Sequence, residues 1–382
     1  MKKILYGFLG LLFLIITSYI IWSRKDRITS INDIYPRYVL SEVESYGTDN
    51  GRGNLLALSP YVHTHDFSSE QAFYNMLEYY LSFAQRKKLL NDSTIVVLPE
   101  YLGTWLVAAN EKKEMYKDTS ITDALQRIVF SNLWSYGNAY LSAKGTDKQK
   151  DAIFRMKANS MCVIYQNTFS KLAQQFKITI VAGSIVLPEP EIKNGILTIH
   201  SSGKLFNVSV VYNKNGKALS PLIKKTYTVS SEKSFTANAA SKDLPIYKTI
   251  AGNLGILIGG DAWNPENYTA LQQKQVAILA VPAFVAGNNS WDIYWNGYVG
   301  GKTPADVDKN DFGKITEQMA WLKYAMTKRA KTANIKNGVN VFLRGDLWNI
   351  GSDGQTIVWT NDTAILSKNT QENTGSLINI WL

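Results

Sequence analysis

Ionisable side chains follow two predicted strands at positions where they could meet. Glu100 follows the β-branched run 94–98 after one intervening proline, and Lys224 and Lys225 end a second apolar run, with Glu232 seven positions beyond Lys225. In open α/β folds, functional groups gather at the carboxyl ends of strands. A carboxylate in such a place suits general acid–base chemistry. A helix-capping or solvated glutamate and solvated lysines are the alternatives.

A third element breaks from a strand into a helix. The apolar run 253–258 is followed by Gly259, Gly260 and Asp261, and a helix is predicted to begin near Pro265 because proline suits the first helical position. This turn would end beside the other two predicted strand ends.

Cysteine and histidine are scarce. The one cysteine, Cys162, excludes an internal disulfide framework and a multi-cysteine zinc site. Its helical apolar neighbours predict a buried structural thiol rather than a nucleophile. His63, His65 and Asp66 have residue types that bind metals, but they fall in a predicted solvated loop. We therefore expect no metal and no cofactor.

The net charge of +10 predicts a solvated basic exterior. Basic residues are dispersed along the chain and no base-stacking platform is evident, so no nucleic-acid partner is predicted. Self-association into a homo-oligomer remains open.

Residues 1–27 predict a membrane anchor. Uncharged residues run from Ile4 to Trp22, and 19 residues at 1.5 Å each span about 28 Å, close to the hydrocarbon thickness of a bilayer. A cleaved signal peptide is the alternative, but its apolar region is normally shorter and ends in small residues. Basic residues flank both ends and leave orientation open. The scarcity of cysteine favours an extracytoplasmic domain behind a single-pass anchor.

Residues 28–53 are predicted to be a linker, and the pattern of strands and helices over 54–382 predicts one α/β domain. The chain is 45% apolar and 19% charged, which supports a large core. Buried strands are predicted at 54–59, 94–98, 178–182, 253–258, 276–281 and 338–343, helices at 70–88, 151–176 and 315–332, and a hairpin over 205–224. Polar residues 110–151 and aromatic residues 287–312 read as long loops, which are usually lids or binding elements.

Taken in order, these elements resemble the nitrilase superfamily of carbon–nitrogen hydrolases. The resemblance covers residues 54–356 and implies a four-layer α-β-β-α sandwich. It is carried by Pro99-Glu100, Ala182-Gly183-Ser184, Asn207-Val208, Gly216-Lys217, the Lys224-Lys225 segment with Glu232, Gly259-Gly260-Asp261, Val281-Pro282-Ala283, Lys328-Arg329-Ala330 and Gly351-Ser352-Asp353-Gly354.

The resemblance implies a Glu, Lys and Cys catalytic set that attacks an amide or nitrile carbon. Carried over, Glu100 is the base, Lys225 stabilises the oxyanion, with Lys224 as the alternative, and Glu232 is the auxiliary glutamate. The candidate ligand-binding residues are Asp261, Trp263 and Trp105. The position that corresponds to the cysteine nucleophile is Gly259, which has no side chain to form an acyl intermediate.

Three hypotheses follow. In the first, the domain is a pseudoenzyme that binds an amide- or acyl-type small molecule. In the second, it is an active amide hydrolase in which Glu100 activates a water in the space left at Gly259. In the third, it is an interaction module for envelope proteins.

Overall fold

The computed structural model describes residues 2–28, 38–298, 300–301, 303–368 and 373–382. The helices in these ranges are α1 Lys2–Arg24, α2 Glu70–Arg86, α3 Ile121–Ser131, α4 Leu133–Leu141, α5 Lys148–Phe176, α6 Pro265–Gln273, α7 Glu317–Tyr324 and α8 Met326–Thr332. The strands are β1 Leu40–Tyr46, β2 Asn54–Ser59, β3 Tyr61–His63, β4 Ile95–Val97, β5 Thr179–Val181, β6 Ile185–Pro188, β7 Pro190–Lys193, β8 Ile196–Ile199, β9 Leu205–Ser209, β10 Val211–Tyr212, β11 Ile223–Lys224, β12 Ile246–Thr249, β13 Gly252–Ile256, β14 Val276–Ala283, β15 Asn337–Phe342, β16 Arg344–Asp346, β17 Ile357–Thr360, β18 Thr363–Leu366 and β19 Gly375–Trp381.

Two large sheets pack face to face between outer helices. The strand order of the first sheet is β1-β19-β2-β4-β5-β10, and that of the second is β12-β13-β14-β15-β17-β18. Successive residues of β2 alternate between two cores, because side chains in a strand point to opposite faces. Leu56 and Leu58 pack with the apolar side chains of α2 and α5, whereas Leu55 and Ala57 pack toward the second sheet. Helices α6, α7 and α8 bury their apolar faces in that second core. The predicted four-layer sandwich is confirmed.

A small sheet of strands β11-β9-β6 leads the chain to the candidate site. The predicted hairpin over 205–224 is only partly formed, because the first half changes sheets at Val210. Strand β9 pairs with β11, while β10 pairs with β5 of the first sheet. This change of sheet lets β9 present Asn207 between the two large sheets, where it is fully buried.

The interval 28–53, expected to be a linker, contains part of the domain. Strand β1 runs parallel to β19 at the edge of the first sheet, so the folded domain includes residue 40 rather than beginning at 54. The partners of β1 lie at the other end of the sequence, and a local pattern does not reveal such a long-range pairing.

Two further expectations differ from the structure. The polar stretch 110–151, expected to be a loop, contains α3 and α4, whose buried residues are few because both helices lie at the surface. The helix expected at 315–332 is divided into α7 and α8 at Ala325, whose ψ of −133° is incompatible with a continuous helix.

Helix α1 is long and apolar enough to cross a membrane, and the described residues of the chain do not bury its most apolar window. Its carboxyl end contacts the domain. The Arg27 guanidinium donates to Glu111 at 3.0 Å and to the Ser131 carbonyl at 2.8 Å, and the Ile28 amide donates to the Glu111 carbonyl at 2.9 Å. The helix is therefore joined directly to the domain surface.

Candidate active site

Three strand ends bring the predicted residues together between the two large sheets. Glu100 follows β4, Lys225 follows β11, and Gly259 follows the segment after β13. Glu100 and Lys225 are only 2% and 1% exposed, respectively. Charged side chains are rarely buried this deeply unless they are paired, and these side chains form ion pairs.

Lys225 joins the two glutamates. Its Nζ lies 2.6 Å from Glu100 Oε1 and 2.7 Å from Glu232 Oε2. The side-chain amide of Asn207 donates to Glu100 Oε1 at 3.0 Å and to Glu232 Oε1 at 2.9 Å. The convergence predicted for Glu100, Glu232 and one lysine is therefore confirmed.

The structure distinguishes the two lysines. Lys225 follows the last residue of β11, and its backbone amide donates to the Asn207 carbonyl at 2.9 Å. Lys224, one residue earlier, points the other way and lies 3.3 Å from Glu189 at the partly exposed surface. Neighbouring residues of an extended chain point in opposite directions, so only Lys225 reaches the glutamates.

Asp261 holds the lysine segment against the Gly259 turn. Its Oδ1 accepts from the backbone amides of Thr226 at 3.0 Å and Tyr227 at 2.7 Å, and its Oδ2 accepts from the Ile258 amide at 3.2 Å. Asp261 is fully buried. These contacts give Asp261 a positioning role, and the ligand contact expected from the sequence stays a prediction.

The ionisable groups have different proton affinities. Burial raises the pKa of Glu100 to about 7, against a lowering by the Lys225 ammonium and a further raising by the Glu232 carboxylate. Burial also favours the protonated form of Glu232, but the Lys225 ammonium outweighs it and the pKa of Glu232 is lowered. Burial raises the pKa of Asp261 to about 6. Glu232 is therefore the ionised partner of Lys225, and Glu100 exchanges its proton near neutral pH.

Burial alone would lower the pKa of Lys225, but the carboxylates of Glu100, Glu232 and Asp261 outweigh burial and raise it. Lys225 therefore stays positively charged at neutral pH and provides a fixed charge in a site closed to solvent. Such a charge can stabilise an oxyanion or a carbonyl oxygen.

Gly259 has a backbone conformation and surroundings that exclude a side chain. Its φ is +50°, in the left-handed region that favours glycine. A Cβ built on Gly259 would lie 2.8 Å from Glu100 Cδ and closer still to Glu100 Oε2. The Glu100 carboxylate thus fills the space where the side chain of residue 259 would begin. The hole expected there for a water is occupied by Glu100 itself.

The aromatic segment 287–312 covers the turn. The Tyr298 hydroxyl occupies the position that a Cβ on Gly260 would take, and this hydroxyl is buried without a hydrogen-bond partner among the described residues. The Tyr298 ring packs against Trp263 with centroids 5.6 Å apart. Trp263 is 1% exposed and also contacts Trp295 and Trp321. Trp263 therefore supports the covering segment from inside the core, and the ligand contact expected for it stays a prediction.

Other candidate residues lie away from this cluster. Trp105 packs against Trp348 with centroids 5.9 Å apart, and its buried indole nitrogen has no hydrogen-bond partner in the described ranges. Asp66 is fully buried and accepts from the His63 amide at 2.6 Å, so it stabilises the turn around it. Cys162 is 5% exposed in α5, and burial raises the pKa of its thiol to about 11. The predicted burial of this cysteine is confirmed.

Sequence reasoning missed three residues of the site. Asn207 bridges both glutamates, the Tyr101 hydroxyl donates to Glu232, and Tyr298 covers Gly260. A polar residue within the apolar strand 205–209 was a usable signal for Asn207. No signal in the sequence distinguishes Tyr298 from the neighbouring aromatic residues.

This fold and this cluster define a carbon–nitrogen hydrolase domain. The sequence model described as carbon-nitrogen hydrolase matches residues 65–297, more than half of the chain, so the chain belongs to that family.

Individual relatives are more distant. The chain is 28% identical over 151 residues to deaminated glutathione amidases from two Synechocystis strains, an alignment that covers 36% of this chain and 51% of each relative. The chain thus matches about half the length of these curated relatives. Solved amidase structures from Nesterenkonia share the fold. One, a mutant assigned to the nitrilase superfamily, has a TM-score of 0.51 at 11% identity and covers 87% of this chain and 92% of its own. Another, a mutant solved with butyramide, has a TM-score of 0.50 at 11% identity over 87% and 91% of the two chains.

Proposed function

We propose that this protein is a membrane-anchored member of the carbon–nitrogen hydrolase family that has lost its cysteine nucleophile and binds an amide- or acyl-type small molecule. One observation carries the proposal. Glu100, Lys225 and Glu232 keep a fully paired, buried arrangement around a turn at which Gly259 supplies no nucleophile.

The ligand class follows from the groups that face the turn. Lys225 offers a permanent positive charge to a carbonyl oxygen, and Glu100 offers an acceptor for an amide N–H. Within the part of the chain that the structure describes, the Tyr298 hydroxyl and Asn207 Oδ1 are buried without hydrogen-bond partners. A buried polar atom left unpaired costs about 1–3 kcal/mol, and a polar ligand at the turn would relieve that cost.

Ligand entry requires Tyr298 to move, because the glutamates and the lysine are almost fully buried beneath the covering segment. Gly297 next to Tyr298 has a φ of +105°, a conformation that glycine adopts readily. We expect the segment to turn about this residue and to admit the ligand between Tyr298 and Gly260.

The active-hydrolase alternative ranks second. Glu100 is the right type of base and exchanges its proton near neutral pH. It would need a water between itself and Gly259, in the space that its own carboxylate now fills. The third hypothesis, an envelope interaction module, has no need of the buried cluster.

The test measures binding and hydrolysis of butyramide by the full-length chain in lipid nanodiscs. We expect saturable binding by calorimetry and no release of ammonia. Lys225→Gln should abolish binding, whereas Lys224→Gln, its matched control one residue earlier, should leave binding unchanged. Ammonia release that survives Cys162→Ala would overturn the loss of activity and favour the Glu100-activated water. Absence of binding across a panel of small amides and acyl compounds would overturn the ligand-binding proposal.

Membrane attachment through α1 is part of the same proposal, with the domain on the extracytoplasmic side. The apolar stretch from Ile4 to Trp22 supports it by length and composition. The full chain should remain with the membrane after alkaline carbonate extraction. A mature protein whose first residue lies after about residue 23 would contradict the anchor and indicate a cleaved signal peptide instead.

A further inference from the structure

The α3–α4 region carries a set of apolar side chains that the described residues of the chain leave exposed. Trp134 and Leu141 are 83% and 86% exposed, and Phe130 is 57% exposed. Leu133, Gly137 and Leu141 recur every four residues on α4, so they form a stripe along one face of that helix. Single exposed apolar residues are normal, but a contiguous group marks an interaction surface.

This surface adjoins the carboxyl end of α1. The Tyr19 hydroxyl accepts from the Leu133 amide at 3.0 Å and donates to the Phe130 carbonyl at 3.1 Å. Arg27 binds the same junction between the helices, with Nη2 at 2.8 Å from the Ser131 carbonyl and 3.0 Å from Asn132 Oδ1. Two attachments eight positions apart along the chain fix the depth of the α3–α4 junction relative to α1.

The depth of Tyr19 in the bilayer determines whether lipid covers the exposed apolar side chains of α3 and α4. Tyr19 lies three residues before the end of the uncharged stretch, about 5 Å of helix rise inside it. Helical side chains lean toward the amino terminus, so its hydroxyl lies deeper still. If the uncharged stretch spans the hydrocarbon layer, the start of α4 lies at the level of the bilayer interface, where tryptophan is enriched.

We propose that Phe130, Leu133, Trp134 and Leu141 form a second membrane contact that rests in the interfacial layer of the bilayer crossed by α1. The lipid partner is recognised by this apolar group together with the basic residues Arg24 and Lys25 at the end of α1, which suit the phosphate level. The inference rests on the proposed anchor, but it does not depend on the chemistry at Glu100.

The experiment measures the depth of single nitroxide labels in the full-length chain, in vesicles of palmitoyl-oleoyl phosphatidylcholine. Cys162→Ala provides the background, and the label is placed by Trp134→Cys or Leu141→Cys. Ile250→Cys serves as the matched control, because Ile250 is an exposed apolar residue in the turn that joins β12 to β13 of the second sheet. At 134 and 141 we expect collisions with oxygen to exceed those with a water-soluble nickel complex several-fold, and at 250 we expect the reverse.

The possible outcomes distinguish a failure of the second membrane contact from a failure of the α1 anchor. Vesicle flotation on the same samples tests α1, so a chain that does not float overturns the anchor. A chain that floats with water-exposed labels at 134 and 141 overturns only the second contact. Dipolar broadening between labels at 134 that persists on dilution with lipid would show that a second copy of the chain covers the surface, and would also overturn the proposal.

Discussion

Gly259→Cys tests whether the site retains the environment of a nucleophile. The substituted thiol would begin in the space that Glu100 Oε2 now fills, so the carboxylate must rotate away from Gly259. Gly259→Ala introduces the same Cβ without the sulfur and is the matched control. Both variants should fold, and the difference between them isolates the thiol chemistry.

The stability cost follows from the structure. A side chain at a φ of +50° costs about 1–2 kcal/mol. Rotation of Glu100 weakens its 2.6 Å contact with Lys225, and a hydrogen bond to a charged group contributes about 1.5–3 kcal/mol. Both variants should therefore lose roughly 2–5 kcal/mol in urea unfolding followed by tryptophan fluorescence. The two values should agree closely with each other.

The reactivity follows from the charge of Lys225. An ordinary cysteine with a pKa of about 8.5 is roughly 3% thiolate at pH 7. An ammonium beside it lowers the pKa by about 1–2 units, which gives roughly a quarter to three quarters thiolate. Allowing for the weaker nucleophilicity of a more acidic thiol, alkylation should be roughly 2- to 4-fold faster than for an unperturbed cysteine.

The assay records the iodoacetamide rate of Gly259→Cys by mass spectrometry between about pH 5 and 10. The midpoint of the profile reports the thiol pKa whether or not Tyr298 slows entry of the reagent. Cys162 reacts slowly on the same chain because burial raises its pKa to about 11. Addition of Glu100→Gln should lower the rate, since the base is lost. A midpoint at or above about 8.5 that is insensitive to Glu100→Gln would refute a preserved catalytic environment.

Three further predictions concern the buried cluster. Lys225→Met should lower the free energy of unfolding by about 3–5 kcal/mol, because it leaves buried carboxylates unpaired. The control, Lys224→Met, should change the free energy of unfolding by less than about 1 kcal/mol. Equal losses in the two variants would contradict the assignment of Lys225 to the site. Because the pKa of Glu100 is raised from 4.5 to about 7, its protonated form stabilises the fold at low pH, and this contribution should be lost as pH rises through about 7. Glu100→Gln should remove that loss, so the difference between wild-type and variant stability must depend on pH across this window. Tyr298→Phe should maintain or raise the stability of the free protein, because the hydroxyl has no partner among the residues that the structure describes, and it should weaken butyramide binding. Loss of stability without loss of binding would show that the hydroxyl is structural.

Much of the site could be predicted from the sequence because the end of each strand is recognisable from its local residue pattern. Glu100 follows a β-branched run, and Lys225 and Gly259 end apolar segments, so their convergence could be predicted from the general rule for strand ends. The choice between Lys224 and Lys225 depended on which residue continued the alternation of β11. The family spacing to Glu232 indicated Lys225, and the structure agrees.

Other features depend on contacts that no local pattern encodes. Strand β1 pairs with β19, which lies near the other end of the sequence. The local pattern of residues 40–46 therefore predicted a linker rather than a strand. Helices α3 and α4 bury few residues, and their charged and polar neighbours concealed the helical spacing. Asp261 looked like a ligand contact because its acidic side chain follows the Gly259 turn. In the fold, three backbone amides donate hydrogen bonds to its carboxylate oxygens.

The attachment of α1 to the domain determines what the protein can reach. A flexible linker of n residues would separate its ends by about 5–6 Å × √n and let the domain sample a volume above the surface. Here Lys112 Nζ caps the carbonyls of Trp22 at 2.9 Å and Lys25 at 2.7 Å, and Glu111 joins Arg27 to Lys157 of α5 at 2.6 Å. With α1 in a bilayer, the domain would keep one height and one tilt while diffusing only laterally. Its encounters would then occur in two dimensions, with molecules that are already held at the membrane surface.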